Sequence, residues 1–173
     1  MKVLVSGLVN TETTAAVRGF PVRYYPIDYA FFGVNTAVSG VAFNIAKALV
    51  TLGNTVRLTA MTGCDFAGDY IRSALQNAGS GTEYLQKNLA QTPNSVVLFD
   101  PDGRRQIYCD LKDIQETMYN FDASVLTDMD VVVACNINFN RELLHFAKAA
   151  GKTIATDVHV LSNIWDDYNR DFM

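Results

Sequence analysis

The sequence has 173 residues, the length of a single domain. Its residues are 49% apolar and 18% charged, which excludes a disordered or low-complexity chain because such chains are poor in apolar residues. The formal net charge of −4, without a basic run, argues against a nucleic-acid partner, and no apolar stretch approaches the ~20 residues that a membrane span requires.

The first third of the sequence predicts a buried strand, a lid and a helix. Residues 3–5 are a continuous apolar run, typical of a strand covered on both faces. Residues from about 13 to 38 show alternation and many aromatic side chains but almost no helical period, so we predict extra strands that project as a small β-sheet lid. Ser39 is a favoured N-cap type, and helical spacing then continues as far as Leu52, where Gly53 predicts the end of the helix.

The remaining sequence alternates strand and helix patterns. Strands are predicted at residues 56–60, 131–134 and 153–156, helices at 66–75 and 141–150, and a hairpin at about 95–109 around an Asp-Pro-Asp-Gly turn. Such alternation indicates an α/β fold with a largely parallel, doubly wound (Rossmann-like) sheet flanked by helices. Because the sequence stops inside a predicted helix, we expect residues 1–173 to be the N-terminal part of a longer domain.

Gly151, Lys152 and Thr153 suggest a phosphate-binding loop, but their context excludes one. That motif needs a glycine five residues before Gly151, where this sequence has Phe146. It also needs a strand before it and a helix after it, so that amides at a helix N-terminus meet the phosphates. Here the order is reversed, and Gly151 is predicted to end a helix.

Residues 67–69 read Ala-Gly-Asp, which is part of a turn that can form an anion hole followed by a catalytic base. The glycine that should precede this turn is absent, since Asp65 and Phe66 stand there. The simpler interpretation is that Asp65 caps the helix and that Gly68 lets the helix pack closely.

The cysteines and histidines predict neither disulfides nor a metal site. Cys64, Cys109 and Cys135 are widely spaced without a CxxC pair, so we expect reduced, buried thiols. His145 and His159 share no metal-ligand spacing. Because the N-terminus also lacks the apolar core of a signal peptide, we expect a cytoplasmic protein.

Polar side chains gather near the predicted end of the first strand and the start of the first helix. Asn10 and Glu12 follow the strand, and Gly40 and Asn44 belong to the first turn of the helix. Open α/β sheets bind ligands at strand ends and helix N-termini. Amide and carboxylate groups suit polyol hydroxyls, and a glycine lets a ligand approach backbone amides. These residues therefore favour a sugar or a ribose as the ligand.

The order and spacing of these motifs resemble the ribokinase-like, or PfkB-type, carbohydrate kinases over residues 3–165. The resemblance rests on a Gly-x-x-Asn-x-acid motif, a lid segment, a Gly-x-x-x-Asn-x-Ala helix start, a Gly-x-Asp-x-x-Gly turn and an Asp-Gly-Arg hairpin. The matching positions are Gly7, Asn10, Glu12, Gly40, Asn44, Gly63, Asp65, Gly68, Thr92, Pro93, Asp102, Gly103, Arg104, Gly151, Lys152, Asp157 and Trp165.

The resemblance implies which residues contact the substrate. They are Asn10, Glu12, Gly40, Asn44, Arg105, Asn136 and Asp157. For Asn136, whose place Asn138 could take, the alternative is an ordinary loop residue, and for Arg105 it is a solvated hairpin charge. This sequence departs from the family pattern at Glu12, where Asp is more frequent, at Ser39, which replaces a glycine, and at His159, where members often have Asn.

The resemblance also implies an activity. The complete protein would be an ATP-dependent kinase that transfers the γ-phosphate to a hydroxyl of a small sugar or nucleoside, and the lid would pair two copies into a homodimer. The family's catalytic base, magnesium motif and nucleotide pocket would lie after residue 173, so ATP and Mg²⁺ are expected to bind mainly outside this sequence, and no catalytic, cofactor or metal residue is assigned within it. The alternative is a non-catalytic sugar- or nucleoside-binding module that retains the substrate half of the fold.

Overall fold

The computed structural model describes residues 1–158, 165 and 167–173, and strands and helices alternate along most of this part of the chain. The elements are β1 (Lys2–Ser6), β2 (Asn10–Ala16), β3 (Val34–Ser39), α1 (Val41–Thr51), β4 (Thr55–Gly63), α2 (Phe66–Asn77), β5 (Leu85–Leu89), β6 (Asn94–Phe99), β7 (Arg105–Asp110), β8 (Val131–Ala134), α3 (Asn140–Ala149) and β9 (Thr153–Thr156). Five strands form a parallel main sheet in the order β5-β4-β1-β8-β9. The predicted α/β class is therefore confirmed.

Helices cover both faces of the main sheet. Val5 of β1 packs in one cluster with Phe43 of α1 and Ile71 of α2, whereas Leu4 packs in another with Leu143 of α3. Successive side chains of a strand point to opposite faces, so these two clusters lie on opposite sides of the sheet. The continuous apolar run in β1 follows from this doubly wound arrangement, because neither face meets water.

A second sheet of four strands, in the order β3-β2-β6-β7, forms what we call the lid sheet. β2 pairs antiparallel with β3 and parallel with β6, and β6 and β7 form the predicted hairpin. The hairpin turn uses the expected glycine: Gly103 has a φ of +81° and donates its backbone N–H to the Asp100 carbonyl at 3.0 Å.

The predicted lid sheet is present, but its first strand begins earlier than expected and the middle of the predicted segment forms no strand. β2 begins at Asn10 rather than near residue 13, and residues 17–33 connect β2 to β3 without forming a strand. The aromatic side chains that suggested strands belong to this connection, where Tyr24 is 89% exposed, Phe31 83% and Phe32 99%. Aromatic content therefore marked an exposed surface here and not a pleated sheet.

Several local predictions need correction. Ser39 is the last residue of β3 and does not cap α1, which begins after Gly40 without a side-chain cap. β5 escaped prediction because its sequence, Leu-Gln-Lys-Asn-Leu, carries too few apolar residues to show a strand pattern. The predicted helix at the end of the chain is a single 3₁₀ turn, Arg170–Phe172.

Two of the three cysteines are exposed, against the prediction. Cys135 is buried, but Cys64 and Cys109 are free thiols at the surface. Cys64 follows the end of β4, and Cys109 lies in β7, whose side chains are all exposed. Among the helices in the described part of the chain, none has both the length and the apolar character to cross a membrane.

Candidate functional site

The carboxyl ends of β1, β4, β8 and β9 meet at one edge of the main sheet, because parallel strands end on the same side. Cys135, just after β8, donates its backbone N–H to the Ser6 carbonyl at 2.9 Å. Asn136 donates its backbone N–H to the Asp157 carboxylate at 2.8 Å, which joins the ends of β8 and β9. Open α/β sheets bind ligands at this kind of edge.

Gly40 brings the lid sheet to this edge. Its φ of +103° lies in the region that favours glycine, and a Cβ there would stand 2.4 Å from the Leu8 carbonyl oxygen. Ala42 donates its backbone N–H to the same oxygen at 3.1 Å. The segment after β1 and the start of α1 are therefore in backbone contact, and a side chain at position 40 would separate them.

Asn10, the first residue of β2, has a buried side chain that is only partly satisfied. It is 4% exposed, and its Nδ2 donates to Ser95 Oγ at 2.9 Å. Within the part of the chain that the structure describes, its Oδ1 is buried and accepts no hydrogen bond. A buried acceptor without a donor costs about 1–3 kcal/mol, and a ligand hydroxyl would remove that cost.

Glu12 lies beside Asn10 on the lid sheet. Alternate residues of β2 share a face, and strand pairing places Ser95 of β6 opposite Glu12. The Ser39 hydroxyl donates to Glu12 Oε2 at 3.4 Å, so the last residue of β3 contacts the acid. Amide oxygen, carboxylate and hydroxyl groups thus converge where the lid sheet meets the main sheet, an arrangement that suits a polyhydroxylated ligand.

Asn44 and Arg105 lie further from this group. The Asn44 backbone N–H donates to the Gly40 carbonyl at 3.0 Å in the first turn of α1, but its side chain is exposed. Arg105 lies on the same face of the lid sheet as Glu12 but near its opposite end. Arg105 pairs with Phe99, whereas Glu12 pairs with Ser95, so the two residues are roughly 13 Å apart along the strands at ~3.3 Å per residue. The structure therefore does not bring Arg105 to Asn10. His159 lies outside the described residues.

Asn136, Asn138 and Asp157 lie at the strand-end edge, and each makes contacts within the protein. The Asn136 side-chain amide donates to Asn169 Oδ1, and Asn138 Nδ2 donates to the Gln115 carbonyl at 3.1 Å. The Asp157 carboxylate accepts from the Asn136 backbone. These contacts fix the positions of all three side chains but do not decide between a ligand role and a purely structural one.

Cys135 gives this edge an uncharged lining. Burial raises the pKa of its thiol to about 12, and the negative charge of Asp157 adds to the effect. A Cβ at Gly7 would stand 2.6 Å from the Cys135 Cβ, so the glycine makes room for this side chain. At neutral pH the thiol is protonated and is not a nucleophile.

The Asp65 carboxylate anchors the N-terminus of α2, as predicted. It accepts from the Gly68 backbone N–H at 2.8 Å and, beyond the prediction, from both the backbone N–H and the hydroxyl of Thr92 at 2.8 and 2.6 Å. A Cβ at Gly68 would stand 2.5 Å from a backbone oxygen of β4, which confirms the close packing. Asp69 is exposed and pairs with Lys87 at 2.6 Å.

Two further residues at the site were missed from the sequence. Asn140, wholly buried at the start of α3, donates from Nδ2 to the carbonyls of Ser6 at 2.9 Å and Cys135 at 2.8 Å, which ties the ends of β1 and β8 together. An asparagine at a predicted helix start was the available signal. Ser95, the partner of Asn10, had no signal because the two residues are 85 positions apart.

Comparison with known proteins identifies the family. The model of the pfkB family of carbohydrate kinases matches residues 1–170, and the chain belongs to this family. No curated protein matches the sequence.

Solved structures share the fold at low sequence identity. The microbiome-derived acarbose kinase Mak1 is 24% identical with a TM-score of 0.82, over 99% of this chain and 57% of that one. Arabidopsis thaliana ribokinase complexed with ribose and ATP is 21% identical with a TM-score of 0.76, over 93% and 54%. A Burkholderia thailandensis nucleoside kinase in complex with inosine is 19% identical with a TM-score of 0.71, over 90% and 52%. The chain spans a little more than half the length of these structures.

Proposed function

We propose that this chain carries the substrate-binding half of an ATP-dependent kinase that phosphorylates a hydroxyl of a small sugar or nucleoside. Membership of the pfkB family supports a kinase of carbohydrates. Ribose and inosine in the two complexes named above support a ligand with a sugar ring. The observation that carries the proposal is the buried Asn10 Oδ1, which accepts no hydrogen bond from the described residues and lies beside Glu12.

Asn10 and Glu12 are the substrate contacts that the geometry supports best. The amide oxygen accepts from one substrate hydroxyl, and the carboxylate accepts from another. Gly40 keeps the backbone of the lid and of α1 close to them. Asn44, Asn136 and Asp157 extend the site along the strand ends, and Arg105 contacts a substrate only if the far end of the lid sheet approaches it.

Phosphoryl transfer needs groups that we do not assign to this chain. It depends on positioning and charge stabilisation around the γ-phosphate, to which Mg²⁺ contributes when bound. Within residues 1–158, 165 and 167–173, no three His, Cys, Asp or Glu side chains gather as metal ligands. As the family resemblance implies, we propose that ATP and Mg²⁺ bind mainly outside these residues. Because ATP is the donor, we also propose a cytoplasmic location.

The lid sheet supports a homodimer. The connection between β2 and β3 exposes Tyr24, Phe31 and Phe32 almost completely, and an apolar surface of this kind favours a protein partner. β3 and β7 are the outer strands of the lid sheet, so their outward backbone groups can pair with another strand. We propose that a second copy of this chain covers both features about a two-fold axis.

Titration calorimetry with ribose and inosine tests the ligand assignment. We expect one of them to bind the wild-type chain and Asn10→Ala to weaken that binding at least tenfold, because a ligand hydroxyl loses its acceptor. Asn77→Ala, at the exposed end of α2, is the matched control and should leave affinity unchanged. Absence of binding by a panel of sugars and nucleosides, or equal affinity of the Asn10 and Asn77 variants, would contradict the proposal.

A transfer assay on the complete protein that contains this sequence tests the kinase itself. With ATP and Mg²⁺, the bound sugar or nucleoside should become a phosphate ester, and Asn10→Ala should reduce kcat/KM. Binding without any transfer would favour the non-catalytic module instead.

A further inference from the structure

A chain of hydrogen bonds crosses the lid sheet from its exposed edge to Asn10. Asn10 Nδ2 donates to Ser95 Oγ at 2.9 Å, and Ser95 Oγ donates to Cys109 Sγ at 3.6 Å. Ser95 and Cys109 face each other in the register of β6 and β7. Asn10 and Ser95 are buried, at 4% and 5% exposure, whereas Cys109 is exposed. A surface thiol is thus two hydrogen bonds away from the candidate substrate contact.

The direction of this chain fixes the orientation of the Asn10 amide. The Ser95 hydroxyl has one proton to donate, and Cys109 Sγ, 3.6 Å from Ser95 Oγ, is its acceptor. The serine oxygen is therefore an acceptor for Asn10, which holds Nδ2 against β6 and leaves Oδ1 as the unmatched group. This Oδ1 is buried and accepts no hydrogen bond from the described residues, which points to a ligand donor.

We propose that Ser95 and Cys109 are positioning residues that make Asn10 a hydrogen-bond acceptor for a substrate hydroxyl. The inference rests on the proposed function and sharpens it, because the site then selects ligands that present a hydroxyl donor to Asn10. A ligand with fluorine or hydrogen in place of that hydroxyl leaves Oδ1 unmatched. Modification of the exposed thiol should therefore change the affinity for substrate. A group attached to the Cys109 sulfur would disrupt its hydrogen bond with Ser95 and so release the Asn10 amide.

The first test needs no ligand. The side-chain amide of Asn10 is identified in the ¹⁵N NMR spectrum of the 173-residue chain by its loss in Asn10→Ala. Ser95→Ala and Cys109→Ala should both shift this signal, and the conservative Cys109→Ser should shift it less because an oxygen replaces the sulfur as acceptor. Thr36→Val is the matched control, since its hydroxyl pairs with Thr13 at 2.9 Å elsewhere in the same sheet. An unmoved amide signal in Ser95→Ala overturns the proposal.

The second test measures affinity for whichever of ribose or inosine the wild-type chain binds. Ser95→Ala should raise the dissociation constant roughly tenfold, as expected for loss of a hydrogen bond to a polar ligand. Ser95→Thr should restore it, and Thr36→Val should not change it. Ser95→Ala should also reduce the discrimination between the ligand and its fluoro analogue, because the freed amide can turn its N–H groups toward fluorine. Unchanged affinity and discrimination in Ser95→Ala would overturn the positioning role.

The third test uses the exposed thiol. In a Cys64→Ser background, N-ethylmaleimide should add once, at Cys109, because Cys135 is buried. The sulfur forms a thioether and the thiol proton passes to the ring carbon of the maleimide. The adduct should bind ligand at least tenfold more weakly than the unlabelled variant, whereas equal affinity would overturn the role of Cys109. If the wild-type chain binds no sugar or nucleoside of the panel, the proposed function fails, and the NMR signal of the Asn10 amide still decides whether Ser95 and Cys109 orient it.

Discussion

Removing the Asp65 carboxylate should destabilise the protein strongly, because this group holds the start of α2 to the segment around Thr92. Its oxygens accept three hydrogen bonds, from the Gly68 backbone and from two groups of Thr92, at 2.6 to 2.8 Å. An N-cap contributes about 1 kcal/mol, and hydrogen bonds to a charged acceptor contribute at least as much each. Asp65→Ala also removes the acceptor of the Thr92 backbone N–H, and water cannot readily replace it because Thr92 is buried.

We therefore expect Asp65→Ala to lower the free energy of unfolding by about 3 kcal/mol. Asp65→Asn keeps one acceptor oxygen and should cost about half as much. Asp69→Ala, four positions along the same helix, is the matched control. Asp69 pairs with Lys87 at the surface, where such pairs contribute about 0–1 kcal/mol. Urea unfolding followed by circular dichroism measures all three variants.

The pH dependence of stability gives a second readout of Asp65. Burial alone would raise its pKa, but the hydrogen bonds from Thr92 and Gly68 outweigh burial and hold the pKa below its usual range. A carboxyl with a lowered pKa contributes stability above its unfolded value, about 3.9, and loses it as the pH falls through the folded value. The difference in free energy of unfolding between wild type and Asp65→Asn should therefore decrease as the pH falls below about 4. A loss under 1 kcal/mol in Asp65→Ala, or a difference that increases in acid, would refute the reasoning.

Three further outcomes are expected. Gly40→Ala should lower the melting temperature more than Gly53→Ala, because both glycines have positive φ but only Gly40 has a backbone oxygen 2.4 Å from the new Cβ; equal shifts would contradict this. Sedimentation at tens of micromolar should show a dimer that Phe31→Ser with Phe32→Ser converts to a monomer, whereas a monomeric wild type would exclude the lid dimer. Mass spectrometry after maleimide treatment at pH 8 should find two adducts on the folded protein and a third, at Cys135, only after unfolding.

Sequence patterns predicted the elements that local chemistry decides. β1 and β8 are continuous apolar runs because helices cover both faces of the main sheet, and the Asp65 cap needs only residues within one helical turn. β5 was missed because its composition does not indicate a strand, and it becomes one only through pairing with β4. Ser39 was assigned as a cap because its type favours one, yet the φ of Gly40 is dictated by contact with Leu8.

In the candidate site, too, the sequence identified residues that belong to local motifs and missed those that depend on strand pairing. Asn10 and Glu12 could be named because they follow a recognisable strand and match a family motif. The partner of Asn10 could not be named, since the bond to Ser95 joins two strands that pair only in the folded lid sheet. The position of Arg105 likewise depends on strand register, which no local pattern specifies.

The two halves of the lid sheet come from separate parts of the chain. β2 and β3 precede α1, whereas β6 and β7 follow β5, and the bond from Asn10 to Ser95 spans 85 positions. The parallel pairing of β2 with β6 joins segments that are far apart in the sequence and carries the entropic cost of closing the long loop between them, so we expect the lid sheet to form late in folding. Exchanging this lid with that of a related kinase consequently requires two simultaneous grafts, and a chimera that carries only one of them leaves an unmatched strand at the centre of the sheet.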